Sequence, residues 1–297
     1  MIRALAESAR VSNLPTVWTN ALVGFTIAAS SGPPAAALPV PSFSLTIAVV
    51  SLLYVGGMFL NDAVDADWDR AHKADRPIAR GVISRRAVLI AALACFLSAV
   101  GLTVWHAPDH APTHVFLASL VAAIVLYDLL HKVTGMAVVL MGFCRGLTYL
   151  LAAALAAAPL GGTLLDAVLA VYPASIAIVV YVCVLTLAAR REDIAGARLG
   201  RAWPWLMTLP VVGIAVQSVA DRPLTALLAP LPALAWLVWC ATLAGRGRIP
   251  AAVGGWLAGI CLFDAAIFLL LHRPLLASTA FVCWLLTLFL QRSIAGT

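Results

Sequence analysis

Charge is what this 297-residue chain has least of: Asp, Glu, Lys and Arg together make up 11% of it. Soluble domains carry about 25%, so a water-exposed globule is excluded. A composition that is 63% apolar, with mean hydropathy +1.01, places the chain in a bilayer. Cysteine lacks any metal or disulfide pattern. Cys95, Cys144, Cys183, Cys240, Cys261 and Cys283 all fall in apolar runs and none forms a CxxC pair, which leaves packing as their role. The stretch Met1 to Arg10 lacks the apolar core and small-residue cleavage site of a secretory leader. Nucleic acid is not implied by the net charge of +6, because the cations are spread along connecting loops, where they read as topology signals. His106, His110 and His114 have the spacing of a metal face on a helix. Pro108 and Pro112 interrupt them, and a loop with incidental histidines is the better reading.

What the chain does have is ten apolar segments, roughly 15–31, 43–61, 87–106, 114–130, 134–158, 164–188, 204–220, 224–244, 251–271 and 275–291. Crossing hydrocarbon takes about 20 helical residues, so the first, fourth, seventh and last are marginal. With the N-terminus cytoplasmic, sixteen of the nineteen Lys and Arg fall in inside regions and only Arg222 and Arg273 outside. That asymmetry follows the positive-inside rule and puts both termini in the cytoplasm if all ten segments cross.

The most informative stretch is Asn61-Asp62-Ala-Val-Asp65-Ala-Asp67-Trp-Asp69, which follows directly on an apolar run. A helix advances about 100° per residue, so with Asn61 at zero, Asp65 lies near 40°, Asp69 near 80° and Asp62 near 100°. Asp67, at about 240°, points elsewhere. An amide and three carboxylates on one face repel each other unless a cation sits against them. Hard oxygen donors suit Mg²⁺, which takes one or two protein carboxylates and completes its shell with water and phosphates. The plain alternative is a solvated acidic cap.

Carboxylates and cations stay interleaved through Lys73, Asp75, Arg76 and Arg80. A second ionisable cluster, Tyr127-Asp128-Leu-Leu-His131-Lys132, closes the fourth segment, and a third, Arg190-Arg191-Glu192-Asp193, closes the sixth. All three follow even-numbered segments and so meet at one membrane face. Metal-held phosphate with flanking Arg and Lys is the chemistry such a convergence serves. Two charges lie inside segments: Arg145 in the fifth and Asp264 in the ninth. A charge near the bilayer centre costs roughly 2.5–3.5 kcal/mol on insertion scales and is usually paired or functional. Arg145 could reach an anionic ligand, a diphosphate or a carboxylate, or form a structural pair with Asp264. Asn20 faces a ligand or makes a helix–helix hydrogen bond.

Asn61-x3-Asp65-x3-Asp69, followed by Arg76-Pro77-Ile78 and Gly81, resembles the first aspartate-rich motif of the UbiA superfamily of intramembrane prenyltransferases. Tyr127-x3-His131-Lys132 resembles that family's Tyr/Lys element, and Glu192-Asp193-Ile194-x-Gly196-x-Arg198-x-Gly200 its second motif. Met141-Gly142-Phe143-Cys144-Arg145-Gly146-Leu147 further resembles the EboC-like branch. Two departures stand out. Asp193 is followed by Ala197 where the pattern carries a second acid, and the family usually has nine spans.

The resemblance implies an all-α polytopic transmembrane bundle of nine or ten spans around a central cavity opening to the cytoplasmic face. Residues 1–297 would form one domain in a bacterial inner membrane. It implies Mg²⁺-dependent transfer of a prenyl group from a prenyl diphosphate to an aromatic or lipophilic acceptor. Asn61, Asp62, Asp65 and Asp69 would serve a first metal and Asp193 with Glu192 a second. Lys73, Arg76, Lys132, Arg190 and Arg191 would contact diphosphate. Asp65, Asp69, Lys132 and Arg145 are the catalytic candidates, with Asn20 and Tyr127 on the acceptor side. A terpene cyclase on the same scaffold and a non-enzymatic transporter are the alternatives; a transporter tends to place its charges at the midplane, whereas these acids sit at helix ends.

Overall fold

In hydrocarbon every backbone N–H and C=O must find its partner within the segment, so long apolar runs become helices. The computed structural model describes residues 2–30, 40–158, 164–192, 199–200, 202–220 and 222–294, and these are helical throughout, with short connections. In chain order the helices are α1 (Ile2–Ser8), α2 (Leu14–Ser30), α3 (Val40–His72), α4 (Arg85–His106), α5 (Ala111–Leu130) and α6 (Ala137–Ala157). Then follow α7 (Leu164–Ala189), α8 (Trp203–Gln217), α9 (Pro223–Leu228), α10 (Leu231–Gly245), α11 (Ile249–Leu270) and α12 (Pro274–Gln291). A turn of 3-10 helix at Val11–Asn13 joins α1 to α2.

Eight helical stretches among the described residues are long and apolar enough to cross a membrane. Of the four marginal segments, α5 and α12 belong to this set, whereas α2 has 17 residues and the apolar part of α8 runs only from Trp205 to Gln217. The eighth segment is broken between α9 and α10, just before Leu231-Pro232.

α3 departs most from the sequence reading. Its apolar run stops at residue 61, but the helix continues unbroken to His72, for 33 residues in all. At 1.5 Å per residue that is about 50 Å, well beyond the roughly 30 Å hydrocarbon core. The polar end is helical because Ala, Asp, Trp and Arg do not break helices, and the next proline comes only at Pro77. It is held in place by its other side: Phe59, Ala63 and Ala66 are buried against Ala4 and Ala9 of the N-terminal segment and Ile78 and Ile83 of the following loop. That loop turns at Gly81, whose φ of 72° is a left-handed conformation suited to glycine. Ser84 then caps α4, its hydroxyl accepting from the Ala87 N–H.

α11 is the most enclosed of the spans and α4 among the least. Leu89, Ile90, Leu93 and Leu97 of α4 face outward, as lipid-facing side chains do. Close helix approach depends on small residues. A methyl at Gly24 of α2 would stand 2.1 Å from the Tyr149 carbonyl oxygen of α6, and methyls at Gly142 and Gly146 would press on Val179 of α7. α6 is therefore sandwiched tightly between α2 and α7.

Candidate functional site

A cavity of about 460 Å³ opens among α2, α3, α5, α6, α7 and α11. Its interior is apolar, lined by Val17, Val50, Leu53, Ile124, Met141 and Ile260 among others. One end is an ionic shelf. α3 brings Asn61, Asp65 and Asp69 to it, the loop after α3 brings Lys73 and Arg76, the end of α5 brings Tyr127, Asp128, His131 and Lys132, and α7 brings Arg190. The first two ionisable clusters and Arg190 of the third therefore meet in one cavity.

Asp65 is the hub. Its Oδ1 is 2.6 Å from Lys132 Nζ and its Oδ2 is 3.2 Å from His131 Nε2. Lys132 also lies 4.2 Å above the Trp68 ring, a cation–π contact that fixes the ammonium over the shelf. Burial alone would lower the His131 pKa; the hydrogen bond and charge of Asp65, with the Asp128 carbonyl, outweigh it and raise the value. Asn61 links two other groups: its Oδ1 accepts from Arg10 Nη2 at 3.1 Å and its Nδ2 donates to Asp128 Oδ1 at 3.0 Å. Arg190 donates to the His131 and Thr134 carbonyls, tying α7 to the α5–α6 connection.

Asp62 stands apart from its three neighbours. It is buried beside the cavity, where Arg10 and Arg76 approach its Oδ1 at 3.8 and 3.6 Å. Two guanidinium groups sharing one carboxylate leave positive charge over. Burial and the Arg10 charge accordingly lower the Arg76 pKa against the pull of Asp62 and Asp69. Asp67, with its side chain 71% exposed, pairs with Arg70 and Arg85 away from the cavity.

Arg191 and Glu192 do not line the cavity, and Asp193 and Ala197 lie outside the described residues. Asn20 is fully buried and does not line it either; it makes helix–helix hydrogen bonds. Arg145 does line it, and donates from Nη1 to Asn20 Oδ1 at 2.9 Å. Asn20 Nδ2 donates to Asp264 Oδ2 at 2.8 Å, and the Tyr149 hydroxyl donates to Asp264 Oδ1. Arg145 and Asp264 thus belong to one network, with an amide between them.

Arg10 is the shelf residue that sequence reasoning did not single out, and Asp128 and His131 appeared there only as members of the second cluster, with no role of their own. Arg10 counted there only as a topology signal, and nothing local to it points to Asn61, 51 positions away. The histidines at 106, 110 and 114 bond to a backbone carbonyl or a threonine hydroxyl nearby.

A divalent cation fits this donor set. Asp128, on the cavity wall, has its Oδ2 buried with no hydrogen-bond partner, a state that calls for a cation or a donor. Among the described residues no three His, Cys, Asp or Glu side chains already surround one point, so a metal here needs water and ligand oxygens to complete its shell.

A cavity with an anion-binding polar end and an apolar body, set among membrane helices, is the architecture of an enzyme for amphiphilic phosphates. The model of the UbiA prenyltransferase family matches residues 17–290, and the chain belongs to that family. It is similar to the digeranylgeranylglyceryl phosphate synthase of Natronomonas pharaonis, 27% identical over 241 residues covering 76% of this chain and 79% of the relative. The enzyme of the same name from Halobacterium salinarum is 30% identical over 217 residues, 71% of this chain and 69% of the relative. In fold the chain resembles a UbiA homolog from Aeropyrum pernix, with TM-score 0.67 at 16% identity, covering 87% of this chain and 96% of the other. The chain is a prenyltransferase and an integral membrane protein. Enzymes of this family generally use a divalent metal.

Proposed function

We propose that the chain transfers a prenyl group from a prenyl diphosphate, bound with Mg²⁺ at the shelf, to a lipophilic acceptor that enters the cavity from the bilayer. The observation that carries this reading is the cavity's polarity: carboxylates and at least four Lys or Arg side chains at one end, and a mostly apolar body beyond them. Asp65, Asp69 and Asn61 would hold the metal, with Asp128 beside them. Bound Mg²⁺ would neutralise charge building on the departing diphosphate as the allylic C–O bond breaks.

The chain's own residues account for the rest. Lys132 is held by Asp65 and Trp68 within reach of a phosphate on the shelf. Arg76 carries surplus positive charge, and Lys73 and Arg190 flank the same opening. The apolar lining keeps water from the allylic cation. Tyr127, which stacks on His131 with ring centroids 5.2 Å apart, borders the acceptor's approach. Positive-inside placement supports a shelf facing the cytoplasm; a reporter fused after Thr297 then lands in the cytoplasm if ten segments cross.

The deciding experiment incubates purified protein with prenyl diphosphates of several lengths and a membrane lipid extract, with and without Mg²⁺. Metal-dependent pyrophosphate release together with an acceptor heavier by one prenyl group is the expected result. Pyrophosphate release with a product of prenyl mass alone would instead make the chain a cyclase.

A further inference from the structure

Below the shelf the cavity is mostly apolar, with the hydroxyls of Tyr54, Thr148 and Thr186, and Arg145 is the charged side chain of its lining there among the described residues. This guanidinium enters on α6, eight residues beyond Ala137, or about 12 Å along the helix from the end nearest Lys132. Tyr54 of α3 lines the cavity with it. Tyr54 itself precedes Asn61 by seven residues on α3, about 10 Å of rise.

The network around Arg145 is not that of a structural ion pair. Such a pair would set the guanidinium fork directly on the carboxylate, two N–H donors to two oxygens. Here both Asp264 oxygens are taken by neutral donors, Asn20 Nδ2 and the Tyr149 hydroxyl. The same bond fixes the Asn20 amide so that its Oδ1 faces Arg145 and receives one N–H. That is the one hydrogen bond of Arg145 among the described residues, out of five donors a guanidinium offers. Asp264 therefore balances the charge through an amide while the remaining donors stay with the cavity, where Arg145 is only half-buried.

A prenyl donor offers nothing for those donors to bind. Its anionic end belongs on the shelf and its tail has no polar atom, so a cation in the tail's path would only cost free energy. The remaining ligand is the acceptor. We infer that Arg145 recognises an oxyanion carried by the acceptor, a carboxylate or a phosphate monoester, and that Asn20, Asp264 and Tyr149 are positioning residues for its guanidinium. The inference rests on the prenyl-transfer reading of the same cavity and names the acceptor's chemical class. An acceptor gripped here presents its nucleophile toward the shelf, where the allylic carbon leaves its diphosphate.

The test uses full-length protein in lipid nanodiscs with Mg²⁺, a prenyl diphosphate and two matched pairs of acceptors. One pair is 4-hydroxybenzoate against 4-hydroxybenzyl alcohol; the other is a 1-O-alkylglycerol phosphate against the same alkylglycerol. In one pair the oxyanion member should be favoured at least about 30-fold in kcat/KM, and which pair does so identifies the source of the oxyanion. Arg145→Met should cut that preference below about threefold, through the acceptor KM, while the KM for prenyl diphosphate moves less than about twofold. Arg145→Lys, which keeps the charge but loses the fork, should recover part of the preference. Should Arg145→Met fail to fold, the Arg145→Met/Asp264→Asn variant removes both charges together and serves the same readout. Equal use of both members in each pair by the unmodified protein, or a preference that survives loss of Arg145, overturns the inference. So does an effect confined to the KM for prenyl diphosphate. These results leave prenyl transfer standing, whereas absence of Mg²⁺-dependent pyrophosphate release from any prenyl diphosphate sinks both.

Discussion

The shelf and the Arg145 network are both polar, both lie in an apolar bundle, and both contain Asn, Asp and Arg, yet they are built on opposite terms. On the shelf, charges outnumber their neutral mediators. Asp65 pairs directly with Lys132 and His131, two arginines crowd Asp62, and oxygens of Asp62 and Asp128 are left without partners. In the network one cation and one anion are separated by an amide, and a tyrosine takes the remaining carboxylate oxygen. The shelf is poorly satisfied by protein alone and so has much to gain from a ligand. The network is nearly complete and so holds one side chain still. Within one cavity, the two differ in how much charge the protein leaves for a ligand to meet.

The sharpest way to break this contrast is to mutate its two anions. Asp65→Asn and Asp69→Asn should each lower turnover by more than about 100-fold, exceeding the loss typical of a residue that only supports a metal ligand. Thermal stability should change little for Asp69→Asn and fall modestly for Asp65→Asn, which also loses its pairing with Lys132 and His131. A large drop in melting temperature would make Asp65 a structural residue instead. Asp264→Ala should do the reverse, with a stability loss of order 3 kcal/mol from a buried cation left uncompensated, measured by denaturation in detergent. If Asp264→Ala unfolds no more easily than the unmodified protein, the network carries no structural charge balance. Tyr149→Phe removes one hydrogen bond to a charged group and should cost about 1.5–3 kcal/mol; a neutral result would mean that water replaces the hydroxyl. On the shelf, Trp68→Ala takes away the ring beneath Lys132, worth about 0.5–1 kcal/mol, and should raise the KM for prenyl diphosphate two- to fivefold. Asp67→Asn marks the floor: an exposed pair is worth about 0–1 kcal/mol, and both activity and stability should stay close to those of the unmodified protein. Sensitivity of Asp67 equal to that of Asp65 would overturn the division of the α3 face.

Much of the α3 face was legible because angular spacing is a local property. Counting 100° per residue separates Asn61, Asp65 and Asp69 from Asp67, and the first three line the cavity while Asp67 faces outward. Asp62, at the edge of that arc, was not resolvable in this way. Whether it turns to the cavity or away depends on Arg10 and Arg76, which reach it from the N-terminal segment and the loop after α3. The length of α3 was hidden for another reason: hydropathy marks where a helix leaves the membrane, not where it ends. Arg145 and Asp264 were visible as costly charges, but the amide between them depends on the meeting of α2, α6 and α11, which no spacing within one segment reveals. The family resemblance carries a chemistry that none of these residues specifies alone.

Gly24 lies one helical turn beyond Asn20 on the same side of α2, and its bare Cα rests on the backbone at Tyr149. One missing methyl therefore sets the gauge between the helix that carries Asn20 and the helix that carries both Tyr149 and Arg145. A Gly24→Ala wedge would move the whole clamp without altering any atom that bonds within it. Acceptor choice would then become a matter of interhelical spacing. Because what the added methyl would meet is backbone and not a movable side chain, even that smallest step is a shift of one whole helix against another.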